Sequence, residues 1–300
     1  MKKIAILLIL PFFAQALFAN ENTAPANELV LQATSMPEAK LEYKRHFIYP
    51  FLQSDNPLMA DNNIKFTLSG QLTPISVNGL LDLILTPVAF AELSAGGRLG
   101  SGWPVNLFGS NLYGIGLNLP GNEHEGSAFD ALLWKAYAGA ALQFSLAAIF
   151  PGDWNNIIAR TYHEINIHGN TRAKAGEAWY FENDGENCNG LNYYGNFVIG
   201  YQMPIILSMA ALLAEADLYL YDTPGREKWG DDIVRWIFSC VFNFSVTNYL
   251  DITLLTQCRT RRNFIESNWN DLYYRSRTVD TSNPVHLEFY RIAAVVTYRF

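Results

Sequence analysis

The last fifteen residues of the chain alternate between two kinds of side chain. Counting back by twos from the C-terminal residue, one face is apolar or aromatic: Tyr290, Ile292, Ala294, Val296, Tyr298 and Phe300. Arg291 and Arg299 lie on the other face. A period of two is typical of a β-strand with one apolar face. An aromatic residue at both ends of that face favours a strand of a membrane-spanning barrel over the alternative, an edge strand of a soluble sandwich.

This segment resembles the C-terminal strand of bacterial outer-membrane β-barrel proteins. The resemblance implies that Tyr298 and Phe300 are the assembly signal and that the barrel-assembly machinery is a partner. Two further segments, LTPVAFAELSAGGRLGSGW (residues 85–103) and WYFENDGENCNG (residues 179–190), look like uncharacterised spirochaete outer-membrane proteins. That second resemblance implies an outer-membrane location and brings no known substrate or functional residue.

The N-terminus predicts a secretory signal peptide over residues 1–19. Lys2 and Lys3 precede an apolar run at residues 4–18 and the small Ala19, which is the expected cleavage site. The run is too short to span a membrane and polar sequence follows it. Cleavage would change the net charge from −7 to −9, because it removes two lysines. Such an acidic chain argues against nucleic acid as a partner.

The composition fits short strands and turns. Charged residues are 16% of the chain, against about 25% in typical soluble domains, and aromatic residues are 14%. Three cysteines are too few for a disulfide scaffold. A helical membrane protein is a weaker alternative, since only residues 131–150 approach the length of a span and the apolar run 204–214 stops at Glu215.

The alternation continues through most of the chain and predicts an all-β fold, a transmembrane antiparallel β-barrel of about twelve strands. Ten or fourteen strands would also fit. Residues 20–62 are expected to be a flexible lead-in, within which residues 41–51 could be a strand, and residues 63–300 form the barrel. The twelve predicted strands are 64–73, 76–86, 88–98, 110–119, 133–149, 156–168, 172–182, 191–203, 205–221, two in the hairpin 233–262, and 286–300.

Turn residues predict how these strands connect. Pro74 and Pro87 should each mark a turn, because proline lacks the donor that a ladder requires. Short joints near Gly169, Pro204 and Asn248 should lie on the periplasmic side. Longer connections should lie outside, at residues 100–109, 183–190, 223–231 and 263–284.

The inward positions of the predicted strands carry charges of both signs. A charge facing lipid at mid-depth would cost about 2–4 kcal/mol, so these residues need a polar interior. Arg235, Arg259 and Arg261 should form a basic strip, with Glu215 and Asp217 one strand away. The strip would either select anionic solutes or belong to a salt-bridged wall without selectivity. The other charged residues predicted to face inward are Lys65, Asp82, Glu92, Lys135, Arg160, Glu164, Asp251 and Arg291.

Cys240 and Cys258 should lie almost opposite each other in the 233–262 hairpin. They would form a disulfide in an oxidising periplasm or remain two reduced, lipid-facing thiols. The oxygen-rich residues 183–190 lack the spacing of an EF-hand, so no metal is expected there. Aromatic residues expected to form the girdle at the membrane interfaces are Trp134, Trp179, Tyr193, Tyr201, Trp236, Tyr290 and Tyr298.

His163 occupies an outward position, as do catalytic residues in some outer-membrane lipid-modifying enzymes. No motif supplies the serine and acidic partner that a triad requires, so we expect no catalysis. The sequence therefore predicts an outer-membrane channel for small solutes, without a cofactor and in contact with outer-membrane lipid. The alternatives are a closed barrel whose outer loops bind a surface or host partner and, third, a lipid-modifying enzyme.

Overall fold

The computed structural model describes residues 26–36, 38–107, 109–120, 123–182, 184–221, 224–265 and 274–300. The expected signal peptide, residues 1–19, lies outside these ranges. Within them, twelve antiparallel strands form a closed barrel in which each strand pairs with its neighbours in the chain. The strands are β1 (Asn27–Thr34), β2 (Ala39–Pro50), β3 (Asn63–Leu72), β4 (Ser76–Val88), β5 (Ala91–Gly102), β6 (Leu133–Ser145), β7 (Asn156–Asn170), β8 (Gly190–Gln202), β9 (Leu207–Tyr219), β10 (Arg235–Thr247), β11 (Leu250–Arg262) and β12 (Val285–Arg299).

The first and last strands close the barrel. β1 pairs with β12 from Glu28 opposite Arg299 to Thr34 opposite Ala293. The backbones of Asn27 and Phe300 exchange hydrogen bonds of 3.1 and 3.0 Å. Closure leaves no strand with unpaired backbone groups along an edge, as a barrel in lipid requires. We call the end that holds Asn27 and Phe300 the terminal end, and the opposite end the loop end.

The predicted fold class and strand number are confirmed, but two strands differ from those expected. β1 and β2 lie in the segment expected to be a flexible lead-in, so the boundary at residue 63 is wrong. Residues 110–119 and 172–182, both expected in the barrel wall, lie outside it. Two missed strands and two misassigned ones compensate, which is why the total remains twelve.

The misassigned segments belong to a separate four-stranded sheet at the loop end. Its strands, in spatial order, are Asp184–Cys188, Ala178–Phe181, Ile115–Leu119 and Glu123–Glu125. Ile115, Trp179 and Phe181 pack together in its core, and Trp179 is 1% exposed. A period of two marks a sheet with one covered face, whether protein or lipid covers it. The assignment of Trp179 to the girdle is therefore wrong.

The remaining elements are short. Val105–Leu107 pairs with Ser110–Leu112, and α1 (Arg226–Trp229) lies between β9 and β10. Within the described residues, 3₁₀ turns span Leu146–Ala148 and Tyr274–Ser276. No helix in the described ranges is both long and apolar enough to cross a membrane.

The outer face of the barrel is an apolar belt. On β3, for example, Phe66, Leu68 and Leu72 are exposed while Thr67 and Gln71 are buried inside. Aromatic residues follow both rims of this belt. Those towards the loop end are Trp134, Tyr193, Trp236 and Phe289; those towards the terminal end are Tyr49, Tyr201, Tyr249 and Tyr298.

The alternation of β12 breaks once. Gln257 pairs with Arg291 and Cys258 with Phe289, so Tyr290 is the additional residue of a β-bulge. Tyr290 is only 1% exposed and faces the lumen, and Phe289 takes the outward position. The prediction that Tyr290 belongs to the girdle is therefore wrong. Phe289 keeps an aromatic residue at that end of the apolar face.

The two prolines behave differently. Pro74 lies in the turn between β3 and β4, as predicted, where the Thr73 amide donates to the Ser76 carbonyl at 3.0 Å. Pro87 is the penultimate residue of β4, beside a register shift between Leu85 and Val88, so the prediction of a turn there is wrong. A bulge tolerates a residue without a backbone donor.

Short connections lie mostly at the terminal end, including residues 203–206 and 248–249, which agrees with the predicted joints. The predicted joint at Gly169 is wrong, because β7 continues to Asn170 at the loop end. The longest connections are all at the loop end: residues 103–132, 171–189, 220–234 and 263–284.

Candidate functional site

The lumen contains the charged residues that alternation placed inside. Glu164 and Glu215 are buried, and Arg160, Asp217 and Arg235 are partly buried. Lys135 lies 2.6 Å from Glu164, and Arg160 lies 2.8 Å from Glu92 on β5. Most of these charges are therefore close to an opposite charge on another strand.

The three arginines of the predicted basic strip lie near the loop end, and each has an acidic partner. Arg235 lies 2.9 Å from Asp217, so two of the predicted residues pair with each other. Arg259 and Arg261 share Glu288, at 2.9 and 3.5 Å. This arrangement is that of a salt-bridged wall, and a selectivity role for the strip stays a prediction.

Glu215 has a different environment from its neighbour Asp217. It accepts a hydrogen bond of 2.8 Å from the Tyr194 hydroxyl, in the buried interior. Tyr162 likewise donates to Glu164 at 2.9 Å, and Tyr137 donates to Asp82. Tyrosines on three consecutive strands, β6 to β8, thus hold carboxylates of the lumen.

A cavity of about 280 Å³ follows the inward residues of β1 to β8, which we call the polar half of the lumen. Towards the loop end it is lined by Ile75, Leu133 and Glu182. Towards the terminal end it is lined by Lys65 and Glu92, near the first residues of β3 and β5. The cavity therefore extends along most of the barrel axis.

Part of the other side of the lumen is apolar. Inward residues from β7 to β12 pack into one buried group, which we call the apolar cluster: Ile158, Val198, Met209, Ala211, Leu213, Val241, Leu255 and Ala293. Leu255 and Ala293 are each 1% exposed. On β9 the cluster lies directly behind Leu212, which is 59% exposed on the outer face. Residues 209–213 of this strand are therefore apolar on both faces, whereas its inward positions become acidic at Glu215 and Asp217.

The four-stranded sheet closes part of the polar half at the loop end. Trp179, Phe181 and Asp184 from this sheet line the same cavity as the barrel residues Asp82 and Lys135. Glu182, in the turn after Phe181, reaches the barrel wall, where the Ser76 hydroxyl donates to its carboxylate at 2.5 Å. The sheet therefore narrows the mouth of the cavity.

Arg262 joins two of the connections at the loop end. Its guanidinium donates to Asp231 at 2.7 Å and to the Trp229 carbonyl at 2.8 Å, and it also pairs with Glu186 of the four-stranded sheet. Burial alone would raise the pKa of Glu186, but the charges of Arg262 and then Arg235 outweigh it and hold that pKa below its ordinary 4.5. The sheet and residues 226–231 are thus held by one buried cation.

Asp184, next to this network, has the opposite balance. Burial raises the pKa of its carboxyl from 3.8 to about 6, although Arg235 opposes the shift. Its other charged neighbours, Glu186 and Asp217, raise the pKa further. Of the oxygen-rich residues 183–190, Asn183 lies outside the described residues, and Asp184–Cys188 is a strand of the sheet.

The predicted pair of cysteines is not joined. Cys240 pairs with Thr256 and Cys258 with Phe238, so the two cysteines are offset along the ladder. None of the three cysteines forms a disulfide, and Cys188 is buried. Of the two alternatives, two reduced thiols rather than a disulfide describe the structure.

His163 lies on the outer face as predicted. Its ring nitrogens are 2.9 Å from the Thr161 hydroxyl and 2.7 Å from the Tyr193 hydroxyl. Its ring meets Phe197 edge-on, with centroids 5.6 Å apart. These neighbours satisfy the imidazole on the apolar belt and do not include the serine or acid of a triad.

Several luminal residues were not predicted, because β1 was missed and β2 was considered only as one alternative for residues 41–51. Lys40, Glu42 and Lys44 alternate along β2 with the exposed Leu41 and Tyr43, which is the same signal that identified β3. Glu182 could not have been found this way. It reaches the wall from a strand of the separate sheet, and only tertiary structure brings it beside Ser76.

Comparison with known proteins gives little more. No family model matches the chain, and no curated protein matches it. Two solved structures align with it at a TM-score of 0.40. One, titled "KdgM porin", is 8% identical, with 91% of this chain and 98% of that chain covered. The other, the β domain of the Bordetella autotransporter BrkA, is 10% identical, with 92% and 99% covered. At these TM-scores neither similarity carries an argument about fold or function.

Proposed function

We propose that the protein is a β-barrel of the bacterial outer membrane that passes small hydrophilic solutes through the polar half of its lumen. The single observation that supports this most is the cavity that runs from Glu182 near the loop end to Lys65 and Glu92 near the terminal end. Charged side chains line it at both ends and in the middle, among them Lys65, Glu164 and Glu182, beside apolar ones such as Ile84 and Leu133. Water and small polar solutes can therefore meet polar groups along its length.

The membrane location rests on the outer face. An apolar belt with aromatic residues along both rims matches the hydrocarbon core of a bilayer and its two interfaces. Tyr298 and Phe300 point outward at the terminal end, with ring centroids 5.7 Å apart. They are accessible there to lipid and, as the resemblance of the C-terminal strand implies, to the barrel-assembly machinery. The resemblance to spirochaete proteins stays a prediction.

The passage is narrow. A cavity of about 280 Å³ spread along the barrel leaves room for ions and small solutes rather than for large substrates. The apolar cluster fills part of the other side of the lumen, and the four-stranded sheet covers part of the mouth. We expect a small single-channel conductance.

Planar bilayers containing the refolded protein test this function. The matched substitutions Ser69→Trp and Leu68→Trp place the same bulk on neighbouring residues of β3, the first lining the cavity and the second facing outward. Only Ser69→Trp should lower the conductance. A difference in gel migration between boiled and unboiled samples shows that each variant is folded. Folded protein that carries no current, or equal currents in both variants, would contradict the channel.

A second candidate is a closed barrel whose loop end binds a surface or host partner. It is favoured by Arg262, which holds the four-stranded sheet and residues 226–231 in one arrangement and so presents a fixed surface. Exchange of residues 263–284 for an unrelated loop should abolish such binding, while the difference in gel migration between boiled and unboiled samples shows that the barrel is still folded. We propose no enzymatic role, since His163 is held by Thr161 and Tyr193.

A further inference from the structure

Glu182 is one of the points at which the four-stranded sheet touches the barrel wall, and Glu186, which pairs with Arg262, is another. It follows the strand Ala178–Phe181 and has a positive φ of 51°, a backbone conformation that is uncommon for residues other than glycine. The ring of the preceding Phe181 lies 4.9 Å from the Arg98 guanidinium. The turn therefore directs a carboxylate at one place on the wall.

That place on the wall is built to receive a carboxylate. The Ser76 hydroxyl donates to Glu182 at 2.5 Å, and the Asn78 amide donates to the same oxygen at 3.4 Å. The Arg98 guanidinium lies 3.7 Å from that oxygen. Arg98 also donates to the Asn78 side-chain oxygen at 3.1 Å, which orients the amide group towards Glu182. Two neutral donors and one cation thus converge on one anionic group.

Lys40 is a second cation beside this place on the wall, and within the described ranges Glu182 does not form an ion pair with it. It is 6% exposed and lines the same cavity, and its ammonium has no hydrogen-bond partner among the described residues. Glu182 and Glu42 both attract it, yet neither lies within ion-pair distance in the described structure. A buried ammonium without a partner is costly, so it indicates room for a further acceptor.

We propose that Ser76, Asn78, Arg98 and Lys40 form a binding site for the carboxylate group of a small anionic solute, and that Glu182 occupies this site as an internal substitute. A solute that reaches Lys40 as well as the Glu182 partners displaces Glu182 and releases the turn of the four-stranded sheet from the wall. The inference rests on the proposed function, because it names the class of solute that would enter the cavity in the polar half of the lumen.

Hydrogen exchange of the strands at residues 178–188 tests the site without requiring conduction. Refolded protein is compared in sodium acetate and in sodium chloride at equal ionic strength, so that screening is the same. Acetate should accelerate exchange of these residues about tenfold, within the usual range of coupling between two binding events. Sodium phosphate in a third sample shows whether any oxyanion suffices or a carboxylate is required.

In the Glu182→Gln variant, residues 178–188 should exchange rapidly even in chloride, and acetate should change their exchange rate little. Lys40→Met should keep the slow exchange in chloride and lose most of the acetate response. Glu125→Gln is the matched control, since it removes the same charge from the opposite edge of the same sheet, where Glu125 pairs with Arg172. It should behave as the unaltered protein does.

Equal exchange in acetate and chloride, equal rates in Glu182→Gln and Glu125→Gln, or a phosphate effect larger than that of acetate would overturn the site. Gel migration before and after boiling confirms that each variant forms a barrel. An acetate effect on exchange in a protein that carries no current would support the site and contradict only the channel.

Discussion

The two sides of the lumen are built from the same kind of strand and yet have opposite contents. In the polar half, inward positions of β2 carry Lys40, Glu42 and Lys44. In the apolar cluster, inward positions of β9 carry Met209, Ala211 and Leu213. The outer face is apolar on both sides. Alternation thus reports which face meets lipid, whereas the polarity of the inner face depends on whether water or protein fills the space behind it.

The largest expected difference between the two sides concerns a buried charge. Leu255→Asp would remove a side chain that is 1% exposed and leave a carboxylate without a partner in the apolar cluster. We expect a loss of about 4 kcal/mol or more in the free energy of unfolding, from the cavity and the unpaired charge together. Urea unfolding in detergent micelles, followed by tryptophan fluorescence, measures it.

Ser69→Asp is the control in the polar half, where the side chain lines the cavity. Water there can solvate the new carboxylate, so the expected change is within about 1 kcal/mol. Similar losses for both substitutions would show that the two sides do not differ in hydration.

The next effect concerns the boundary between the two sides. Arg291 is fully buried on β12 and bridges the Gln257 side chain at 2.7 Å and Glu38 at 2.8 Å. Arg291→Gln would leave Glu38, in the turn between β1 and β2, without its cation. Because Glu38 is partly exposed, we expect a cost of about 2–3 kcal/mol, at the low end for a broken buried pair. The unfolding midpoint measures this cost.

Arg261→Gln gives the comparison for Arg291. Arg261 is about one-third exposed and shares Glu288 with Arg259, so Glu288 keeps a partner. The expected change is below about 1 kcal/mol. A cost as large as that of Arg291→Gln would mean that partial exposure does not weaken luminal pairs.

A smaller effect is the pH dependence of the four-stranded sheet. Because burial raises the pKa of Asp184 to about 6 from 3.8, the fold favours its protonated form. The contribution of Asp184 to the stability of the sheet should be fully present below about pH 4, and about 1–3 kcal/mol should be lost as the pH rises from 4 through 6. Hydrogen exchange of residues 184–188, corrected for the intrinsic rate at each pH, follows this loss. Asp184→Asn should remove the dependence; a variant that retains it would assign the titration to another group.

The smallest expected effect is that of the thiols on β10 and β11. Since Cys240 and Cys258 are offset along the ladder and free, Cys240→Ser should leave the unfolding midpoint within about 0.5 kcal/mol. Oxidised and reduced samples should migrate identically on gels after boiling. If the oxidised sample migrated faster and Cys240→Ser abolished this difference, the two cysteines would form a disulfide after all.

The sequence was sufficient where one face of a strand meets lipid. β3 and most of β12 could be placed on the wall because their apolar residues recur every second position. Ile115 and Trp179 obey the same period but pack against each other, and no local pattern distinguishes that partner from lipid. The bulge at Tyr290 and the approach of Glu182 to Ser76 depend on contacts between residues far apart in the chain, which periodicity does not encode.

Thiol accessibility inside the barrel tests most directly whether one side of the lumen conducts and the other is dry. A membrane-impermeant thiol reagent is applied to the protein in lipid vesicles, with all three native cysteines replaced by serine and one cysteine introduced by Ser69→Cys or Ala211→Cys. Ser69 lines the cavity and Ala211 lies in the apolar cluster. We predict rapid labelling after Ser69→Cys and none after Ala211→Cys. Equal labelling of the two, or none of either, would contradict a water-filled polar half beside a dry apolar cluster.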